Sequence, residues 1–289
     1  MKEITVISGK GGTGKTTITA SFATLAKNTV TADCDVDAPD LHMLLHPKPF
    51  EVQDFIGPKL AMVDSKLCIS CDLCQRACKF GAINNNKIDP IHCEGCGVCE
   101  IVCPENAISL VDRVSGKAFL SKNKYGFMSH ALLNPGDANS GKLVTLVRNN
   151  ARKLAEKEKC NLILIDGSPG IGCPVIASVA GVNQALIVTE PTMSGIHDMK
   201  RVLKLLSHFN IPALVCINKY DLNQINTKKI EKHCSKNKIA VIGKILFDPI
   251  ITKSMVAGKP IVEYSPNTEV SMAIKQMWKQ LLSKLDFNS

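Results

Sequence analysis

Two stretches of the chain concentrate chemically competent residues at tight spacing. The first is Gly9-Lys10-Gly11-Gly12-Thr13-Gly14-Lys15-Thr16-Thr17, a G-x-x-x-x-G-K-T pattern. Its glycines let successive backbone N–H groups turn inward around phosphate oxygens. Lys15 supplies a point charge for β- and γ-phosphates, and the Thr16 hydroxyl is the expected Mg²⁺ ligand. The competing reading is a Gly-rich turn that binds nothing. The second stretch holds eight of the thirteen cysteines, as Cys68-x₂-Cys71-x₂-Cys74-x₃-Cys78 and Cys93-x₂-Cys96-x₂-Cys99-x₃-Cys103-Pro104.

The two cysteine runs repeat at an offset of 25 residues, and Gly81-Ala82-Ile83 matches Asn106-Ala107-Ile108, as an internal duplication would. Three thiolates spaced by two residues wrap one cubane, and the fourth points away to ligate the other. By that rule Cys68, Cys71, Cys74 and Cys103 hold one [4Fe–4S] cluster, and Cys93, Cys96, Cys99 and Cys78 hold the second. Zinc is the alternative, but its sites favour two C-x₂-C pairs with a longer separation. The block resembles a bacterial-type two-cluster ferredoxin, except that Lys79 stands where that family places a proline.

These groups need elements to position them. Ile4–Ser8 reads as a buried strand running into the glycine loop, and Ile18–Lys27 as the helix after it. Asn28–Ala32 is a second strand ending in Asp33-Cys34-Asp35-Val36-Asp37, where carboxylates face the ligand crevice of an open sheet. Leu41–Val63 is mixed, with short strands such as Phe50–Ile56. Lys117–Ser121 and Gly126–Leu133 suggest a hairpin, Asn134–Gly141 a loop, and Lys142–Lys159 a basic-faced helix. Strands at Asn161–Asp166, Gln184–Thr189, Pro212–Ile217 and Ile239–Ile245 then alternate with helices at Gly195–Phe209, Thr227–Ser235 and Val270–Leu285. This predicts an α/β fold with a mostly parallel sheet flanked by helices. The predicted organisation is a nucleotide-binding domain at 1–63 and 111–289, interrupted by a small α+β ferredoxin-like domain at 64–110.

Composition narrows the function. With 289 residues, 45% of them hydrophobic, the chain can bury a sizeable core. No apolar run approaches the length of a membrane span, so stable membrane insertion is not expected. The first strand begins at residue 4, leaving no room for a signal peptide, and the expectation is a cytoplasmic protein with metal-bound rather than disulfide-bonded cysteines. The net charge of +9 is spread over Lys-rich helices, and aromatics are only 4%. A solvated face or an acidic protein partner therefore accounts for it better than nucleic acid.

Read in full, the glycine loop resembles the deviant Walker A of the MinD, Mrp and nitrogenase iron-protein superfamily, with Lys10 carrying the likeness. The resemblance implies a SIMIBI-type P-loop NTPase in which Lys10 crosses a nucleotide-sandwich homodimer formed on ATP binding; the alternative is an ordinary solvent-facing lysine. Asp33-Cys34-Asp35 resembles switch I, implying that Asp35 directs the attacking water, with Asp37 a rival. Asp166-Gly-Ser-Pro-Gly170 resembles switch II, implying that Asp166 reaches Mg²⁺ through water and Gly170 senses the γ-phosphate. The alternative for that segment is a strand-end turn. Asn218-Lys219-Tyr220-Asp221 spells the N-K-x-D of guanine-specific GTPases, but in this superfamily an Asn here contacts adenine, which favours ATP over GTP.

Cys173 matches a cluster-binding cysteine of the nitrogenase iron protein. The second cysteine such a site needs is missing near residues 134–142, so Cys173 is read as a small buried residue. Cys160, Cys216 and Cys234 are read as structural, and a C-terminal C-x-x-C of the Mrp carrier type is absent. The whole pattern resembles superfamily ATPases carrying an inserted ferredoxin domain. It implies a Mg²⁺-dependent ATPase coupling nucleotide-dependent dimerisation to electron transfer to a redox partner. Alternatives are a maturation factor for metal or iron–sulfur clusters and, less favoured, a MinD-like positioning ATPase. The helix Met272–Leu285 and its Leu-Asp-Phe-Asn-Ser tail lack the basic membrane-seeking face of the last.

Overall fold

Runs of β-branched and aliphatic residues without internal turn formers build the strands of this protein. The computed structural model describes residues 1–137 and 141–285. Its large sheet orders the strands Ala240–Ile245, Ala213–Asn218, Gln184–Thr189, Lys2–Ser8, Leu162–Pro169, Thr29–Asp33, Gly126–Leu133, Val114–Asn123 and Lys48–Ile56. Every pair from Ala240–Ile245 through Gly126–Leu133 is parallel. Lys2–Ser8 is central, with Ile4 opposite Leu164 on one side and Gln184 on the other. Both faces of that strand are covered, so Ile4, Val6 and Ile7 are all fully buried rather than alternating. Parallel strands deliver their carboxyl ends to one edge of the sheet, so the segments after Ser8, Asp33, Asp166, Thr189 and Asn218 gather there.

The chain divides into two units, the larger including residues 1–52 and 118–132 and the smaller residues 53–117 with a return segment from Leu133. In the larger unit, Lys15–Leu25 and Glu269–Ser283 close the core, and Phe22 packs with its ring centre 4.9 Å from that of Trp278. Gly243 lets the last helix approach the sheet, since a Cβ there would stand 2.5 Å from Met277 Sδ. The first helix begins at Lys15, three residues before the expected start, because Gly14 caps it and the loop enters the first turn directly. Leu41–Val63 resolves into a short helix, Leu41–Leu45, and the strands Lys48–Ile56 and Leu60–Val63. Part of the expected Asn134–Gly141 loop and the tail after Leu285 lie outside the described residues.

The smaller unit repeats itself as its sequence does. Helices Leu73–Ala77 and Val98–Ile101 occupy matching places in the two cysteine runs. Leu60–Val63 pairs antiparallel with Ile108–Val111, and Ile83–Asn84 with Lys87–Ile88. Its core is Ala61, Cys74, Ile83, Cys99 and Ile108, in which both the cysteine and the isoleucine pairs are related by the repeat. Among the described residues no helix is long and apolar enough to cross a membrane.

Candidate functional site

The loop after the first strand turns on Gly12 and Gly14, with φ of +75° and +92°, where a side chain costs about 1–2 kcal/mol. A Cβ at Gly14 would also stand 2.4 Å from Asn218 Nδ2, whereas at Gly11 or Gly12 it would point into open space. The helix that Gly14 caps carries no acidic side chain in its first turn. Its positive dipole end therefore faces the loop uncancelled. Thr16 sits half-buried in that first turn, and Gly9 packs against Asp198.

Lys15 is folded inward. Its Nζ donates to Asp35 Oδ2 at 2.9 Å and to Asp166 Oδ1 at 3.2 Å. Burial alone would lower its pKa, but the attraction of Asp166 and Asp35 outweighs burial and holds the ammonium above its ordinary range. The parallel register sets Asp33 directly opposite Asp166. Asp33 is fully buried, its Oδ1 accepting the Asp35 N–H at 3.2 Å and its Oδ2 the Leu41 N–H at 3.3 Å. Burial, then the neighbouring Asp166, pushes the Asp33 carboxyl well above the usual carboxylate range. Burial also raises Asp35, against the pull of Lys15. Asp37, by contrast, is exposed. Asp166 Oδ1 accepts from Thr19 Oγ1 at 3.2 Å, while Asp166 Oδ2 and the Thr13 hydroxyl are buried without a protein partner. Orphaned buried polar atoms of this kind suit a hydrated cation and a phosphate.

Thr13, Lys15, Thr16 and Asp35 line a cavity of about 480 Å³, within the range of small-molecule sites, whereas Gly9, Asp33, Asp166 and Gly170 do not line it. The lining joins Gly11–Thr17, Asp35 and Ser168 with the apolar side chains of Ile245, Phe247, Ile251, Met255 and Ile274. Asn218 joins them, its Nδ2 donating to Thr13 O at 2.8 Å. Gly170, at φ +95°, donates its N–H to Ser8 O at 2.9 Å. Within N-K-x-D, Asn218 and Lys219 line the cavity, whereas Asp221 is engaged elsewhere, accepting the Phe247 N–H at 2.7 Å. Lys10 Nζ lies 3.3 Å from Glu190 Oε2, and Lys219 Nζ donates to Glu190 Oε1 at 2.5 Å.

Sequence reasoning does not single out Glu190, Phe247 or Met255. The available signals were Glu190-Pro191 at a strand end and Asp248-Pro249. Asp248 caps the helix Pro249–Val256 by accepting the Ile250 N–H at 2.9 Å, an N-cap followed by proline. Cys173 corrects an expectation, being exposed rather than buried. It is the first residue of Cys173–Val179, and helical side chains lean toward the N-terminus, where no preceding turn covers it. Cys160, Cys216 and Cys234 are buried as expected, and burial pushes the Cys216 thiol up to about 12.

In the smaller unit the cysteines surround two cavities. Cys68, Cys71, Cys74 and Cys103 line one; Cys78, Cys93, Cys96 and Cys99 line the other. The fourth cysteine of each run thus lies with the other run's first three. Cys103 Sγ accepts the Ala107 N–H at 3.3 Å. Among the described residues no three or more His, Cys, Asp or Glu side chains are grouped as ligands of a single metal ion.

Comparison with known proteins places this geometry. Residues 4–261 match the family model described as the CobQ/CobB/MinD/ParA nucleotide binding domain. An uncharacterised protein of Methanocaldococcus jannaschii is 36% identical over 286 residues, covering 96% of each chain. A Xenopus tropicalis protein named cytosolic Fe–S cluster assembly factor nubp2 is 23% identical, covering 96% of this chain and 92% of that one. Among solved structures, the Pyrococcus horikoshii septum site-determining protein MinD, complexed with Mg-ADP, superposes with a TM-score of 0.61 at 19% identity, covering 98% and 97% of the two chains. The matched span takes in the glycine loop, both aspartate segments and Asn218, and the chain belongs to the CobQ/CobB/MinD/ParA nucleotide-binding domain family.

Proposed function

We propose that this protein is a Mg²⁺-dependent ATPase whose nucleotide-driven homodimerisation is coupled to electron transfer through two [4Fe–4S] clusters in an inserted ferredoxin-like domain. The observation that carries the cluster half is the partition of eight cysteines into two crossed sets of four around separate cavities. A zinc site would need a tight group around one ion, whereas a cubane takes one thiolate on each of four irons. Cys68, Cys71, Cys74 and Cys103 would hold one cluster, and Cys93, Cys96, Cys99 and Cys78 the other. When bound, such clusters supply one-electron carriers.

In the nucleotide half, the Gly9–Gly14 amides and the helix end receive the phosphates, Lys15 shifts from Asp35 and Asp166 toward them, and Thr16 would hold Mg²⁺, which would neutralise phosphate charge. The unpartnered Asp166 Oδ2 suits a water on that ion. Asp35, released from Lys15, directs the attacking water, so catalysis is positioning and charge neutralisation. Lys10 leaves Glu190 for the phosphates bound by a second copy. The preference for adenine over guanine rests on Asn218, which lines the cavity, and on Asp221, which does not. Asn218 stays at the cavity, and the apolar wall takes the base face.

A second reading, a factor that assembles or inserts metal clusters, draws on the likeness to the Fe–S cluster assembly factor. Anaerobic redox titration with and without ATP separates the two. ATP-dependent cluster potentials and partner reduction support gated electron transfer, and unchanged values defeat it. Transfer of cluster to an apo-acceptor favours assembly. Lys10→Ala should abolish hydrolysis while ATP binding partly survives, and an active variant would remove the trans role of Lys10.

A further inference from the structure

We infer that Ser168 is a positioning residue that ties the Asp166–Gly170 segment to the backbone just before Asp35, so that movement of one switch is delivered to the carboxylate on the other. The inference rests on the ATPase reading for its consequence in turnover, but its structural part is independent of it.

The paired register between Leu162–Pro169 and Thr29–Asp33 ends at Asp166 opposite Asp33. One residue further, the Cys34 N–H still donates to Asp166 O at 2.8 Å. The Cys34 carbonyl is then bonded by a side chain instead: Ser168 Oγ donates to Cys34 O at 2.6 Å. The cause lies on the other side of the same strand. Val6 pairs with Asp166 and Ser8 with Pro169, so one extra residue is accommodated between them. A bulge of this kind re-aims a side chain. Gly167 permits it, because a Cβ there would stand 2.5 Å from Ile7 Cγ2. Pro169 follows with no N–H to offer.

Both peptide groups flanking Cys34 are therefore held by the 166–168 segment. The N–H end of the same peptide group, Asp35 N–H, is held by Asp33 Oδ1 at 3.2 Å, and the Asp35 carboxylate reaches Lys15 at 2.9 Å. Ser168 is 2% exposed and Cys34 fully buried, so water does not replace the bond when it is lost. Gly170 lies two residues beyond Ser168, and displacement of that end of the segment pulls on Cys34 O and hence on Asp35.

The test uses the full-length protein with Ser168→Ala and Ser168→Thr. Without nucleotide, hydrogen exchange at the Asp35 amide should quicken about tenfold in Ser168→Ala and match wild type in Ser168→Thr, which keeps the hydroxyl. With Mg-ATP, Ser168→Ala should lower kcat about tenfold with KM nearly unchanged, and Ser168→Thr should restore it. Exchange at Asp35 unaltered in Ser168→Ala overturns the proposal. If Ser168→Ala does not fold, Ser168→Cys, whose thiol is a weak donor, takes its place: faster exchange at Asp35 than in wild type supports the proposal, and wild-type exchange there overturns it. A wild-type protein that hydrolyses no ATP would defeat the ATPase reading and leave the exchange comparison standing.

Discussion

Asp35→Asn separates the chemistry of the nucleotide site from its stability. Three buried carboxylates, Asp33, Asp35 and Asp166, face one cation, Lys15. The substitution weakens the 2.9 Å contact to Lys15, a charge-assisted bond worth about 1.5–3 kcal/mol. It also removes a buried negative charge near Asp166, the burial and repulsion that hold Asp35 above its ordinary range, and Lys15 keeps Asp166 at 3.2 Å. The terms are comparable and opposed, so stability without nucleotide should change by no more than about 1 kcal/mol, a shift of roughly 2–4 °C in Tm. Hydrolysis should fall by about 10²-fold or more.

The pH dependence carries a sign. A carboxyl raised in the folded state contributes stability that is fully present below its unfolded pKa, near 4, and is lost as pH rises through the folded value. The Asp35 contribution should fall upward from about pH 4, so the stability of Asp35→Asn relative to wild type should rise over the same range. Thermal melts from about pH 4 to 8 without nucleotide, beside steady-state phosphate release, read both arms. A steeper decline in the variant would refute the electrostatic reasoning, and unchanged hydrolysis would remove Asp35 from the chemistry.

Gly14→Ala should lower both stability and nucleotide affinity, by about 2–4 kcal/mol in stability, because its Cβ displaces Asn218 from Thr13 O; a normal melt with normal nucleotide binding would contradict this. Cys78→Ser should disturb the cluster proposed on Cys93, Cys96 and Cys99, and Cys103→Ser the one proposed on Cys68, Cys71 and Cys74, read by EPR of the reduced protein; loss confined to each residue's own run would refute the crossed sets. Glu190→Gln frees Lys10 from a partly exposed ion pair worth roughly 0.2–1 kcal/mol. It should raise the ATP-dependent dimer fraction about two- to fivefold, measured by light scattering. A lower fraction would show that Glu190 supports the dimer instead.

Local chemistry made the glycine loop and the cysteine runs legible. Gly12 and Gly14 occupy backbone angles that other residues avoid, and the cysteine runs carry a regular, repeated spacing. The strand order of the parallel sheet was harder to read, yet the alternation of strands and helices was enough for its class. What escaped notice depends on separate strand ends meeting. Glu190 takes Lys10 and Lys219 from two other segments, and Ser168 reaches Cys34 across 134 residues of chain. The wall Phe247–Met255 lacks a clear amphipathic period, and only Asp248-Pro249 announces its helix. Cys173 misled because its helix begins at that residue.

The same strand register is why the site is built around Lys15. Parallel pairing that sets Thr31 beside Leu164 and Ala32 beside Ile165 must also set Asp33 beside Asp166. Two carboxylates at adjacent strand ends, with Asp35 two residues on, form a cluster that burial alone would neutralise by protonation. Only a cation entering from beside the neighbouring strand can hold any of it ionised, and Lys15 opens the helix that follows Lys2–Ser8, the strand paired on the other side of Leu162–Pro169. Without phosphate, Lys15 is drawn to the aspartates; with phosphate it has a competing anion. On the proposed mechanism Lys15 couples phosphate binding to the freeing of Asp35, and a Lys15→Arg protein, whose planar fork can grip both carboxylates at once, should bind nucleotide more weakly while melting no lower than wild type. Tighter nucleotide binding in that variant would break the link between the two states of Lys15.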